Sequence, residues 1–151
     1  MAKKFVGVIG ASECDATLAQ RAYEIGQGIA RLGAILVSGG LGGVMAAACQ
    51  GAKQEGGLTV GILPGTQRGE GNRFIDIEIV TGLLEARNLI IIRTADTVVA
   101  IGGSYGTLSE IGFALRMNKT VVGFETWDIP GVVKASTVQE TLELIAKNLS
   151  E

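Results

Sequence analysis

Short runs of β-branched and aliphatic residues alternate along this sequence with longer segments whose apolar residues recur at helical spacing, and glycine-rich turns separate the two. Residues 4–10 (KFVGVIG), 34–38 (AILVS), 58–63 (LTVGIL), 96–101 (DTVVAI) and 120–124 (TVVGF) read as strands. Residues 15–32 read as a helix through Leu18, Ala22, Ile25, Ile29 and Leu32. Residues 44–55, 107–117 and 137–149 read as three more, the last capped by Ser136 or Thr137. Strands that are apolar along most of their length have no face to give to water. They call for a parallel sheet with crossover helices packed on both sides.

Three stretches between these elements are less regular. Residues 74–80 (FIDIEIV) alternate, with Ile75, Ile77 and Ile79 on one side and Asp76 and Glu78 on the other, as expected of a partly exposed strand near a sheet edge. Residues 83–95 (LLEARNLIIIRTA) mix a helical beginning with three isoleucines that favour a strand. A crossover into the next parallel strand takes a dozen or more residues, usually helical, so a helix is expected. Isoleucines around most of a helix need apolar partners on two sides, the sheet and a second subunit, and a homo-oligomer (dimer or tetramer) follows as an expectation. Residues 64–73 (PGTQRGEGNR) are too polar to pack and are expected to form a mobile loop, either a plain connection or a lid carrying Arg68 or Arg73 to a ligand. With no repeat and no linker, residues 1–151 are expected to form a single α/β domain: Rossmann-like, three-layer α/β/α, with a mainly parallel sheet.

Composition narrows the function by exclusion. The chain has no histidine, which removes Ser-His-Asp and Cys-His catalysis and the usual nitrogen ligand of zinc; no metal site is expected. A net charge of −2 with no basic block argues against nucleic acid as a partner. No apolar run approaches the ~20 residues of a membrane span, and the first residues lack the apolar core of a signal peptide. A cytoplasmic protein without a membrane partner, its Cys14 and Cys49 reduced, is the expectation.

Three turns follow strands and precede helices: Gly10-Ala11-Ser12-Glu13; Ser38-Gly39-Gly40-Leu41-Gly42-Gly43; and Gly102-Gly103-Ser104-Tyr105-Gly106-Thr107. In a parallel sheet all three lie at the carboxyl ends of the strands, where open α/β sheets bind their ligands. Helix N-termini there offer unpaired amides, and glycine lets the backbone approach an anion, so a small phosphate-bearing ligand is expected. The same glycines would also serve simply to make tight turns. Glu13 and Asp15 disfavour phosphate at the first turn, which is expected to face a ribose hydroxyl or to cap its helix. Tyr105 suits either stacking on a ring or covering an interface. No G-x-x-x-x-G-K-[ST] occurs and Gly40-Leu41-Gly42-Gly43-Val44-Met45 fails G-x-G-x-x-G at its last position, which disfavours ATP hydrolysis and ordinary NAD chemistry.

The segment Gly103-Ser104-Tyr105-Gly106-Thr107-Leu108-Ser109-Glu110 resembles the P-G-G-x-G-T-x-x-E motif of the LOG-like (SLOG) superfamily. The glycine turn from Ser38 to Gly43 with Val44-Met45, and Glu85-Ala86-Arg87-Asn88, fit the same superfamily in the same order. Its members include phosphoribohydrolases, molybdenum-cofactor carrier proteins and chains once labelled possible lysine decarboxylases. The resemblance implies Arg87 and Glu110 as the catalytic pair if the chain is an enzyme, and Gly103, Gly106 and Thr107 as phosphate-holding positions. Gly102 and Ser104 stand where the hydrolases have proline and glycine, and Asn88 follows Arg87 where they usually have lysine; here the chain looks more like the carrier branch. Gly10, Ser38, Gly39, Gly40, Gly42, Gly43, Met45, Gly102, Ser104 and Tyr105 complete the expected ligand site. No cofactor is required, and the implied ligand is a molybdenum cofactor or a nucleotide. Two functions stand side by side: a binding protein, or a hydrolase that cleaves the N-glycosidic bond of a nucleoside 5'-monophosphate. A blander third is an oligomer with no small-molecule site. A pyridoxal-dependent decarboxylase lacks a candidate lysine beside these turns.

Overall fold

In a computed structural model that describes residues 2–151, the apolar runs form seven strands: β1 (Phe5–Gly10), β2 (Ile35–Ser38), β3 (Thr59–Leu63), β4 (Ile77–Val80), β5 (Thr97–Ile101), β6 (Val121–Phe124) and β7 (Val133–Ala135). Every neighbouring pair is parallel, and the order across the sheet is β4-β3-β2-β1-β5-β6-β7. The strand order reverses between β1 and β5, where Gly10 stands level with Ile101. That is the switch point at which an open α/β sheet leaves a crevice at its carboxyl edge.

The two-residue period of each strand sorts the core onto two faces. Val6, Val8, Leu36, Val99 and Ile101 turn to one side, where α1 (Ala16–Arg31), α2 (Val44–Gln54) and α5 (Val138–Leu149) cover them with Ile25, Ile29, Ala48 and Ile145. Ile9, Val37, Ile62, Val98 and Ala100 turn to the other, under Ile91, Ile92 and Ile111 of α3 (Asn88–Thr94) and α4 (Tyr105–Arg116). Each fully buried aliphatic side chain contributes about 1.5–3 kcal/mol, so these two layers carry most of the stability. The helices α1 and α2 pack so closely that a Cβ on Gly26 would lie 2.0 Å from the Ala48 carbonyl oxygen, and one on Gly51 would lie 2.0 Å from that of Tyr23. Glycine at these two positions is a packing requirement, not a turn.

Three expectations change in detail, and one strand is new. The segment expected to be one helix over residues 83–95 is a 3-10 turn, Leu84–Arg87, followed by α3. Leu84 has a positive φ of 53°, which the α-helix does not allow, and the turn swings Arg87 beneath the strand ends. The isoleucines then need no second subunit: Ile91 and Ile92 are fully buried and Ile90 packs against the same cluster. The short edge strand β7 has no sequence counterpart, because three residues are too few to show a period. Finally, residues 64–73 are tied down: the Gly69 and Gly71 amides donate to the Glu78 carboxylate, at 3.0 and 3.3 Å, and Asn72 bonds to the Gly40-Leu41 turn. Strand β4 itself is the expected edge strand, with Ile77 and Ile79 exposed. Among the described residues, no helix is long and apolar enough to cross a membrane.

Candidate functional site

At the switch point lies a cavity of about 120 Å³ lined by Gly10 and Ser12 of the first turn, Gly39 and Leu41 of the second, Met45 at the start of α2, Arg87 and Asn88, and Ser104, Gly106, Thr107 and Glu110. Three turns from distant parts of the chain meet here because β1, β2 and β5 are parallel and end on one edge.

Arg87 is 8% exposed, and its guanidinium is spread over three acceptors. Nε donates to the Ile62 carbonyl at 2.9 Å, one terminal nitrogen to Asn88 Oδ1, and the other to the Gly39 carbonyl at 3.4 Å. Among the described residues it makes no ion pair within the chain. Gly39 is needed beside it, since a Cβ there would lie 2.9 Å from Arg87. Burial lowers the arginine's pKa, against the pull of Glu110 and Glu85.

Glu110 is the sixth residue of α4, not a first-turn carboxylate, so the helix dipole does not account for it. It is 7% exposed and lacks a hydrogen-bond donor among the described residues. Burial pushes its pKa up to about 8 despite the nearby Arg87 charge. At neutral pH the side chain is therefore mostly the uncharged acid. Among the described residues, Arg87 and Glu110 are the only ionisable groups lining the cavity, so its net charge at neutral pH is positive.

The remaining expected residues divide into lining and supporting positions. Gly10, Gly39, Met45, Ser104, Gly106 and Thr107 line the cavity; Ser38, Gly40, Gly42, Gly43, Gly102, Gly103 and Tyr105 do not. Ser38 is buried behind its turn and accepts the Gly40 amide at 3.2 Å. Gly43 has a φ of 57°, and a Cβ there would lie 2.4 Å from the Ala11 carbonyl oxygen, so it serves tight turn packing. Gly103 is backed by Trp127 and Thr107. Tyr105, 88% exposed, stands at the start of α4. The helix begins there, two residues earlier than expected, with Ser104 as N-cap and its amide donating to Thr107 Oγ1 at 3.2 Å.

In the first turn Asp15 caps α1, accepting the Leu18 amide at 2.8 Å, an interaction worth about 1 kcal/mol. Arg73 lies over the Phe74 ring at 4.9 Å, and neither it nor Arg68 lines the cavity. Ser12, Leu41 and Asn88 also line it, outside the residues expected to form the ligand site. Asn88 was legible only as the residue after Arg87; Ser12 and Leu41 carry no signal beyond sitting inside the turns.

Comparison with known proteins places these features. The model of the SLOG cluster4 family matches residues 3–150. The structure of the molybdenum cofactor binding protein from Rippkaea orientalis superposes with a TM-score of 0.93 at 39% identity, covering 99% of both chains. The molybdenum cofactor carrier protein of Chlamydomonas reinhardtii superposes with a TM-score of 0.88 at 34% identity, over 99% of this chain and all of the other. An uncharacterized protein of Archaeoglobus fulgidus is 46% identical over 138 residues, 91% of this chain and 89% of its own.

Proposed function

The chain belongs to the SLOG cluster4 family, and on that footing we propose that its switch-point cavity binds a phosphate-bearing small ligand, a molybdopterin-type cofactor before a nucleotide. The observation that carries the reading is the lining of the cavity: Arg87 is its one basic group, and burial raises the pKa of Glu110, its one acidic group, which favours the neutral acid. An oxyanion entering it meets a guanidinium and a neutral acid able to donate a hydrogen bond. The volume of about 120 Å³ is well under the roughly 300–1,000 Å³ of a site enclosing a whole small ligand, so the cavity takes the phosphate and leaves a pterin or base outside. Neither cysteine lines it, so the residues that would hold a molybdenum cofactor there do so through nitrogen and oxygen groups and not through thiolate.

Cleavage of an N-glycosidic bond would draw on Glu110 as an ionised carboxylate beside a developing cation, a form that its raised pKa disfavours at neutral pH. The reading is therefore of binding. Incubated anaerobically with cofactor released from a molybdoenzyme and then gel-filtered, the protein is expected to retain pterin at close to one per chain, measured by fluorescence after oxidation. Retention no higher than that of an unrelated protein of equal size removes the proposal. With AMP, release of adenine in proportion to enzyme would restore the hydrolase reading.

Association of copies is proposed through the apolar residues beside the α3–α4 layer: Leu83, Leu84, Tyr105 and Leu108 are 50, 61, 88 and 38% exposed. Tyr105 and Leu108 lie three residues apart on α4, and so on one face of it, and large apolar side chains left exposed in this way suit an interaction surface. Light scattering is expected to give at least twice the 15.6 kDa chain mass, falling to one chain in a Leu84→Asp, Leu108→Asp variant. A monomeric parent protein would refute it.

A further inference from the structure

The turn after β2 is held from outside by a residue that does not line the cavity. The Asn72 backbone amide donates to the Gly40 carbonyl at 2.8 Å, and its side-chain Nδ2 donates to the Leu41 carbonyl at 2.9 Å. Its Oδ1 accepts the Phe74 amide at 3.0 Å, which fixes the side chain in place. Among the described residues no peptide bond is cis. In a trans peptide the C=O and the next N–H point in opposite directions. With the Gly40 and Leu41 carbonyls drawn toward Asn72, the N–H groups of Leu41 and Gly42 point away from it. Neither has an acceptor among the described residues; Leu41 lines the cavity, and Gly42, which does not, is the next residue along the same turn.

We propose that Asn72 is a positioning residue for anion binding: by taking the carbonyls of the second glycine turn, it leaves the Leu41 and Gly42 amides free for the ligand's oxygens. The inference rests on the proposed phosphate site and adds to it a residue outside the motifs. It also gives the loop of residues 64–73 a task that needs neither of its arginines. The division of labour is specific: the backbone of Asn72 sets the Gly40–Leu41 peptide, and its side chain sets the Leu41–Gly42 peptide. A side-chain replacement should therefore act on the Gly42 amide and spare that of Leu41.

The test uses full-length ¹⁵N-labelled protein titrated with inorganic phosphate, read by amide shifts. In the parent, the Leu41, Gly42 and Gly106 amides are expected to move together. Asn72→Asp keeps the Oδ1 that caps Phe74 but loses the Nδ2 donor and sets a carboxylate against the Leu41 carbonyl. Its Gly42 shift is expected to vanish while the Leu41 and Gly106 shifts persist, with phosphate bound about tenfold more weakly. Asn72→Ala should lose the same shift, and thermal unfolding of both variants shows that the fold persists. An unchanged Gly42 shift and affinity in Asn72→Asp overturns the inference and leaves the phosphate site standing. A parent whose Gly106 shifts but whose Gly42 does not overturns the inference alone, and one in which no cavity amide moves overturns the site as well.

Discussion

Replacing Arg87 by methionine is expected to weaken phosphate-ligand binding on the order of 100-fold and to destabilise the fold by about 3 kcal/mol. Methionine is close in length and fills the space, so the loss is of charge and hydrogen bonds and not of packing. Two consequences separate. For binding, the cavity loses its one positive charge, and only neutral donors remain to favour an anion. For stability, the Ile62 and Gly39 carbonyls and Asn88 Oδ1 lose their donor in a buried setting. Lysine in its place restores the charge but, as a point donor on a flexible stem, does not span acceptors on β3 and the second glycine turn together. Arg87→Lys is therefore expected to recover part of the affinity and little of the stability. Calorimetric titration with the phosphate ligand and urea unfolding of both variants read the two effects; a methionine variant that binds like the parent removes Arg87 from the site.

The architecture was legible because the signals that specify it are local. A run such as Thr97–Ile101 (TVVAI), with five buried residues in a row, has no alternative to the interior of a parallel sheet. Loop chemistry then placed three turns on one edge, and Arg87 and Glu110 came from the motif resemblance. What stayed hidden depends on distance in space. That Leu84 takes a positive φ, that Gly26 and Gly51 let α1 and α2 touch, and that Asn72 holds a turn more than 30 residues earlier in the chain are facts of tertiary packing. Glycine was read chiefly as a sign of anion binding, and the structure divides that signal. Gly39 makes room for the arginine, whereas Gly40, where a Cβ would lie 2.4 Å from Leu63, and Gly43 let the backbone turns pack. The burial of Glu110 could not be read either, because a carboxylate six residues into an amphipathic helix ordinarily faces water.

That burial makes the sharpest prediction from Glu110→Gln. The carboxyl titrates near 4.5 when the chain is unfolded and about 8 when it is folded. Between these values the folded state keeps a proton that the unfolded state has released. Stability contributed by this group is therefore present at low pH and lost as pH rises from about 4.5 to about 8, the reverse of a salt-bridged carboxylate. At about 1.4 kcal/mol per pKa unit the full effect is on the order of 5 kcal/mol. Glutamine keeps the shape and the donor and has no proton to lose. The variant is expected to match the parent near pH 4, below the unfolded value, and to exceed it by several kcal/mol at pH 9, measured by urea unfolding across that range. Ligand binding should follow the same group: in the parent, affinity for a phosphate anion falls above about pH 8 as the acid ionises beside it, and in Glu110→Gln this fall disappears. Parallel stability curves for the two proteins from pH 5 to 9 would mean that Glu110 is already ionised at neutral pH, which would return a negative charge to the cavity and with it the case for a catalytic carboxylate.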